Sequence, residues 1–403
     1  MKIAIINTLA YGSTGNIAKH ICEIVEKRGD EAKFFCGNWG NIKANEKKEV
    51  FGFKIENKIS GLLSQTFGIY NIYSYFGTVI LIRKLKKFKP DIIHLHNLHL
   101  WVINIPMLMN YIKKYKIKIV WTLHDCWSFT GRCPHFLITG CDKWISGCSN
   151  CIYPKEQYPQ SLFFDNSSKM WELKRKWFSN IDKMIIVTPS MWLSKMVKKS
   201  YLKNYKIKVI NNGIDLNIFK PRRSNFRKRY GLEEKYLILG VAFDWGYRKG
   251  LDIFIELSEI LSDNYKIVLV GTNEEIDKKI SNKIISIHKT LNQIELSEIY
   301  SEADLFFNPT REDTFPTVNM ESLACGTPVM TYMTGGSAEI IDEKTGIILK
   351  DENVKNIKNI IENYCQNKYI SEYDCRDRAS NFYNKNFCFH NYYNLYKELL
   401  STK

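Results

Sequence analysis

The sequence predicts an α/β protein of two doubly wound parallel-sheet domains, and three observations carry that expectation. Short β-branched runs alternate with segments of helical period along nearly the whole chain, the pattern of parallel strands joined by crossover helices. Two such series meet near residues 206–221. Polar or glycine-bearing loops follow several of the apolar runs, at the strand ends where open α/β sheets bind ligands. With 403 residues and 45% apolar content, the chain can bury two cores.

In the first series, residues 2–7 read as a strand, 13–27 as an amphipathic helix and 32–35 as a strand. Residues 91–95 and 118–122 are β-branched runs, each preceded by a basic helix-like segment, and 184–188 closes the series. The second series has strands at 236–242, 266–271, 284–287, 305–308, 328–332 and 346–349, with helices at 251–261 and 293–301. Residues 386–400 have the apolar periodicity of a closing helix. The expected domains are 1–205, carrying a cysteine-rich insertion at 126–151, then 206–385, then a terminal helix at 386–403.

Net charge is +16, and its distribution is uneven: residues 1–205 hold 31 Lys and Arg against 14 Asp and Glu, the remainder 27 against 28. A lysine-rich genome would raise both halves, so the excess points to an anionic partner for the first. The basic residues are interleaved through several segments and no recognised nucleic-acid motif occurs, so nucleic acid is not the expected partner. The opening MKIAIINTL reads as a strand, without the cleavage site of a secretory signal. With eleven cysteines, that argues for a reducing compartment, and the expectation is cytoplasmic.

The most informative stretch is 304–342. An apolar run, LFFNP, ends in a loop bearing Arg311, Glu312 and Asp313; Glu321 opens a helix-like segment, and a strand and the Gly335-Gly336 turn follow. Two carboxylates in a D-x7-E spacing thus stand with a glycine loop at the carboxyl ends of neighbouring strands. This segment resembles the E-x7-E and A-x-G-x-P-V pattern of retaining glycosyltransferases of family four, with Asp313 at the first acidic position. VINNGIDLNIFKP (209–221) is similar to that family's domain junction, N-G-V/I-D-x-x-x-F. The resemblance implies the GT-B fold: two Rossmann-like domains facing across a cleft, with the terminal helix crossing back onto the first. It also implies retaining transfer of a hexose or N-acetylhexosamine from a nucleotide diphosphate sugar to a lipid-linked oligosaccharide in bacterial surface polysaccharide assembly. An epimerase or phosphorylase of the same fold and a polyanion- or RNA-binding protein are the alternatives.

A diphosphate leaving group must be held and its charge met. No D-x-D motif occurs, so cations and backbone amides are expected to do this without a catalytic metal or other cofactor. Arg248-Lys249-Gly250 follows a strand and precedes a helix, aiming two cations and a helix N-terminus at one spot, although a solvated basic pair would read the same. The resemblance gives Lys249 and Arg248 the phosphates, Glu321 the ribose hydroxyls and Asp313 the sugar hydroxyls. The same resemblance places the loop Thr314, Phe315, Pro316, Thr317 and Val318 near sugar and phosphate. It brings Gly12-Ser13-Thr14-Gly15 toward donor or acceptor, where a tight strand–helix turn explains the glycines equally well. His124, ending the strand 118–122, matches a family histidine that orients and stabilises, while the leaving phosphate takes the acceptor proton. The catalytic set is then His124, Asp313 and Lys249. His94, His96 and His99, at another strand end, rank below it as hydrogen-bonded core residues.

Cys133, Cys141, Cys148 and Cys151 form C-x7-C-x6-C-x2-C, a set that suits tetrahedral structural zinc; free thiols and disulfides are the alternatives. A subset of polysaccharide transferases shares this T-L-H-D…F-T-G-x-C…C…C-x2-C run. Finally, residues 59–82 carry no charge and precede RKLKKFK. Their Gly, Ser, Thr, Gln and Asn content argues against a membrane span. A pair of helices is expected, with Phe67, Tyr70, Tyr73 and Phe76 at a lipid interface and the basic tail on anionic headgroups; an ordinary core helix is the competing reading.

Overall fold

Among the described residues, seven parallel strands build the first sheet: β1 (Lys2–Asn7), β2 (Glu31–Gly37), β3 (Lys48–Phe51), β4 (Ile92–Leu95), β5 (Lys118–Thr122), β6 (Met184–Thr188) and β7 (Lys206–Val209), in the order β3-β2-β1-β4-β5-β6-β7. Six more build the second: β8 (Tyr236–Val241), β9 (Tyr265–Val270), β10 (Ile284–Ile287), β11 (Leu305–Asn308), β12 (Val329–Tyr332) and β13 (Gly346–Leu349), in the order β10-β9-β8-β11-β12-β13. The computed structural model describes residues 1–39 and 48–401. The chain divides into two units, Met1–Asn211 with Phe389–Lys403, and Asn212–Cys388.

Helices cover both faces of such sheets, so central strands need apolar side chains on both sides. β4, β6, β11 and β12 are buried at every position. The edges differ: β3 (KEVF) opens with two charged residues and β7 (KIKV) alternates charge with apolar residues, which hides both from a search for apolar runs. β7 pairs with β6, so the first unit runs past residue 205. The last helix, Lys385–Ser401, begins in the second unit, and from Phe389 on the chain belongs to the first.

Strand order reverses beside β1, between β2 and β4, and beside β8, between β9 and β11. A crevice opens at such a switch point because the two connections leave to opposite faces. The loops bearing Gly12 and His96 follow β1 and β4; those bearing Lys249 and Asp313 follow β8 and β11.

The uncharged stretch forms two helices, Lys54–Phe67 and Tyr75–Phe88, joined after Gly68 in a left-handed cap at φ 62°. No described helix is long and apolar enough to cross a membrane. The expected aromatic side is corrected in part. Phe67 and Phe76 are exposed, but Tyr70 is buried, its hydroxyl donating to the Gln160 carbonyl, and Tyr73 is half-buried. The outward face of the first helix is instead Ile55, Ile59 and Leu62, spaced at helical period.

Candidate active site

The second unit's site starts at Gly250. Its backbone is left-handed at φ +72°, and a Cβ there would stand 2.5 Å from the Pro309 carbonyl oxygen, so only glycine lets this turn press against the end of β11. The preceding 3-10 turn, Tyr247–Lys249, points Lys249 across the crevice, where its Nζ meets Asp313 Oδ2 at 2.7 Å. Arg248 donates from Nη1 to the Glu312 carbonyl at 3.3 Å, and its own carbonyl accepts from Arg311 N–H at 2.9 Å.

Arg311 does structural work. Its two Nη atoms reach the Asp252 carboxylate at 2.8 and 2.7 Å, its Nε reaches Glu352 at 3.0 Å, and the guanidinium stacks 3.8 Å from the Tyr247 ring centre. This fork bolts the loop after β11 to the start of helix Leu251–Ile260.

Asp313 is held by its backbone as well as by Lys249. Gly335 approaches so closely, at φ +56°, that a Cβ would lie 1.8 Å from the Asp313 carbonyl oxygen, and Gly336 N–H donates to that oxygen at 3.3 Å. The loop carrying Thr314, Phe315 and Pro316 then enters helix Thr317–Ala324, opening with Thr317 and Val318; Phe315 N–H donates to Asp313 Oδ1 at 3.2 Å. Glu321 lies one turn in and accepts from the Tyr300 hydroxyl at 3.3 Å. Burial pushes its carboxyl up to about 7, against the pull of hydrogen bonds from Tyr300 and Thr317, although the residue keeps some solvent contact. Asn308 and Asn319, 2.7 Å apart, tie β11 to that helix, and Asn319 also reaches the Ser337 carbonyl. Neither asparagine has a local signature, since each matters only through its partner.

In the first unit, Gly12 is left-handed at φ +74°, and a Cβ on Gly15 would come within 2.8 Å of the Ala10 carbonyl carbon. Asn7, ending β1, donates to the Leu9 carbonyl at 2.8 Å and accepts from Asn97 N–H at 3.0 Å, tying the loops after β1 and β4 together. Beside them, His96 Nδ1 lies 2.9 Å from His124 Nε2, with the rings stacked at 17°. His94 packs 4.2 Å from His96, with its nitrogens on the Tyr396 hydroxyl (2.6 Å) and Thr122 Oγ1 (2.8 Å). Burial lowers all three histidines, His124 to about 4. His99 bridges the Tyr158 hydroxyl (2.7 Å) and Asp125 (3.0 Å). Burial pushes the Asp125 carboxyl up, but His99, His135 and the Trp127 amide pull it further down, to about 2.

Cys133, Cys141, Cys148 and Cys151 are free thiols lining one pocket with Arg132 and Trp144. Gly131 N–H donates to Cys148 Sγ at 3.1 Å. Among the described residues, no three His, Cys, Asp or Glu side chains are grouped so as to hold a metal ion. The sulfurs share a lining without converging on a point.

Residues 14–218 match the model of the family described as Glycosyltransferase Family 4. The chain belongs to that family. Residues 222–382 of this family 4 chain match a second model, Glycosyl transferases group 1. A putative colanic acid biosynthesis glycosyl transferase, WcaC of Escherichia coli K12, is 24% identical over 324 residues, 77% of each chain. Sucrose-phosphate synthase from Thermosynechococcus elongatus aligns at TM-score 0.74 and 15% identity over 100% of both chains. Anabaena HepE, in complex with UDP and glucose, aligns at 0.68 and 14% over 99% of this chain and 100% of its own. These likenesses establish the fold: both units are those of a GT-B glycosyltransferase.

Proposed function

We propose that this family 4 enzyme moves a hexose or N-acetylhexosamine, with retention, from a nucleoside diphosphate sugar to a lipid-linked oligosaccharide in bacterial surface polysaccharide assembly, without a catalytic metal. The observation that carries the reading is the Lys249–Asp313 pair at the mouth of the amide-bearing loop before helix Thr317–Ala324. A cation and a helix N-terminus side by side stabilise a leaving diphosphate. Glu321, one turn along, has the two acceptor oxygens that a ribose diol requires. WcaC's colanic acid assignment and the UDP and glucose bound to HepE support the polymer and the donor class.

An apolar face supports the lipid-linked acceptor. Phe53, Ile55, Ile59, Leu62, Phe67 and Phe76 are all exposed, and Phe76 shares its helix stripe with Arg83 and Lys87. Apolar side chains beside a basic row suit peripheral binding to the anionic inner face of a membrane. In this reading Cys133, Cys141, Cys148 and Cys151 would hold a structural zinc ion, which requires the thiols to draw together from the separate positions they occupy around the pocket. Metal analysis after reducing purification should then find about one zinc per chain, and a metal-free, fully stable protein would remove it.

A donor screen tests the function. Purified protein is incubated with UDP-, GDP- and ADP-sugars and a lipid-linked acceptor, with and without chelator. Chelator-resistant transfer with the anomeric configuration kept is expected. Inversion, or turnover restored by magnesium alone, defeats it.

A further inference from the structure

We infer that His96 is a positioning residue that dictates which nitrogen of His124 carries the hydrogen, leaving His124 able to donate but not to act as a base. The inference rests on the reading of His124 as a residue of the reaction centre.

His96 is 1% exposed and faces His124 from the end of β4, Nδ1 to Nε2 at 2.9 Å. Two neutral imidazoles at that distance need one N–H and one lone pair, since two of either kind repel. His96 Nε2 is buried and has no partner. A hydrogen there would be an orphaned donor, whereas a bare acceptor is the cheaper orphan. The hydrogen of His96 therefore sits on Nδ1 and is donated to His124 Nε2. With Nε2 accepting, neutral His124 must carry its own hydrogen on Nδ1. The partners of the neighbouring titratable groups are compatible with this arrangement. His94 stacks on His96, but both its nitrogens are taken by Tyr396 and Thr122; Asp125 and His99, the other titratable groups near His124, bond to each other. Burial keeps His94, His96 and His124 neutral at pH 7.

A histidine with one nitrogen accepting and the other protonated cannot remove a proton from a hydroxyl. It can orient an oxygen or stabilise negative charge on it, which agrees with a transfer in which the leaving phosphate takes the acceptor proton.

Side-chain nitrogen NMR on the full-length, histidine-labelled protein tests this, alongside donor kinetics. The wild type should show neutral His124 with its hydrogen on Nδ1 from pH 6 to pH 8. His96→Asn keeps an amide donor near the Nδ1 position and should retain both the tautomer and most of the turnover. His96→Leu should lose the tautomer preference and about a hundredfold in kcat, with donor KM unchanged. A wild-type spectrum with the hydrogen on Nε2 overturns the inference and needs no variant to fold. If the tautomer is as inferred but a folded His96→Leu turns over at the wild-type rate, the assignment holds and His124 leaves the reaction centre.

Discussion

Lys249 Nζ and Asp313 Oδ2 stand 2.7 Å apart, joining the loop after β8 to the loop after β11. Both side chains are largely shielded, at 14% and 21% exposure, so the pair is screened less than a surface bridge would be. Without donor, Asp313 neutralises the cation and holds it in place. In the proposed reaction a donor diphosphate would compete for the same ammonium and free Asp313 for a sugar hydroxyl. On that proposal the pair would be a preorganised anion site, and the ion pair itself spares the protein a bare, shielded charge.

Lys249→Ala should lower kcat/KM by about 10²–10³-fold, the scale of losing one preorganised charge partner at a leaving group. Steady-state kinetics at saturating acceptor checks it, and a loss confined to KM would make Lys249 a ground-state contact only.

Glu321→Ala should sharply weaken nucleotide binding while the fold is retained. If Glu321 holds the ribose as proposed, the wild-type affinity should rise with pH through about 7, because the ionised carboxylate would accept both ribose hydroxyls and burial has raised its titration to that range. For stability the sign is opposite. A folded-state value above the ordinary 4.5 favours the neutral form, so that contribution is present below about 4.5 and lost as pH rises through about 7. Calorimetric titration of the nucleotide across this range reads the first effect, and thermal melts of ligand-free protein read the second.

Gly335→Ala should cost about 1–3 kcal/mol for a side chain in a left-handed backbone. It should also displace Asp313, whose carbonyl lies 1.8 Å from where the new Cβ would stand. Activity should therefore fall more than a melting shift of that size explains. A variant that is destabilised but fully active would separate the glycine loop from the site.

Ile59→Glu with Leu62→Glu should reduce binding to anionic vesicles at least about tenfold, since each side chain withdrawn from the interface forfeits about 1.5–3 kcal/mol. Co-sedimentation with anionic and zwitterionic vesicles at two salt concentrations reports it. Unchanged binding would leave this apolar face without a lipid role.

The alternation of strands and helices was readable along the chain because burial on both faces of a parallel sheet writes itself as apolar runs, and residues 118–122, 184–188 and 305–308 are strands as expected. The D-x7-E spacing and the Arg248-Lys249-Gly250 turn were equally visible, since each lies within one loop-and-helix segment. Chain order held no trace of which charges meet. Arg311 and Lys249 look alike as cations beside a loop, yet one is spent on Asp252 and Glu352 and the other is paired with Asp313, 64 positions away. His96 finds His124 across 28 positions, and His94 finds Tyr396 across 302. Tyr70 and Phe76 share one uncharged stretch but end on opposite sides of the surface. Hydrophobic period is a local property that a linear text preserves. A hydrogen bond between distant segments depends on strand register and helix rotation, which arise when the sheet assembles.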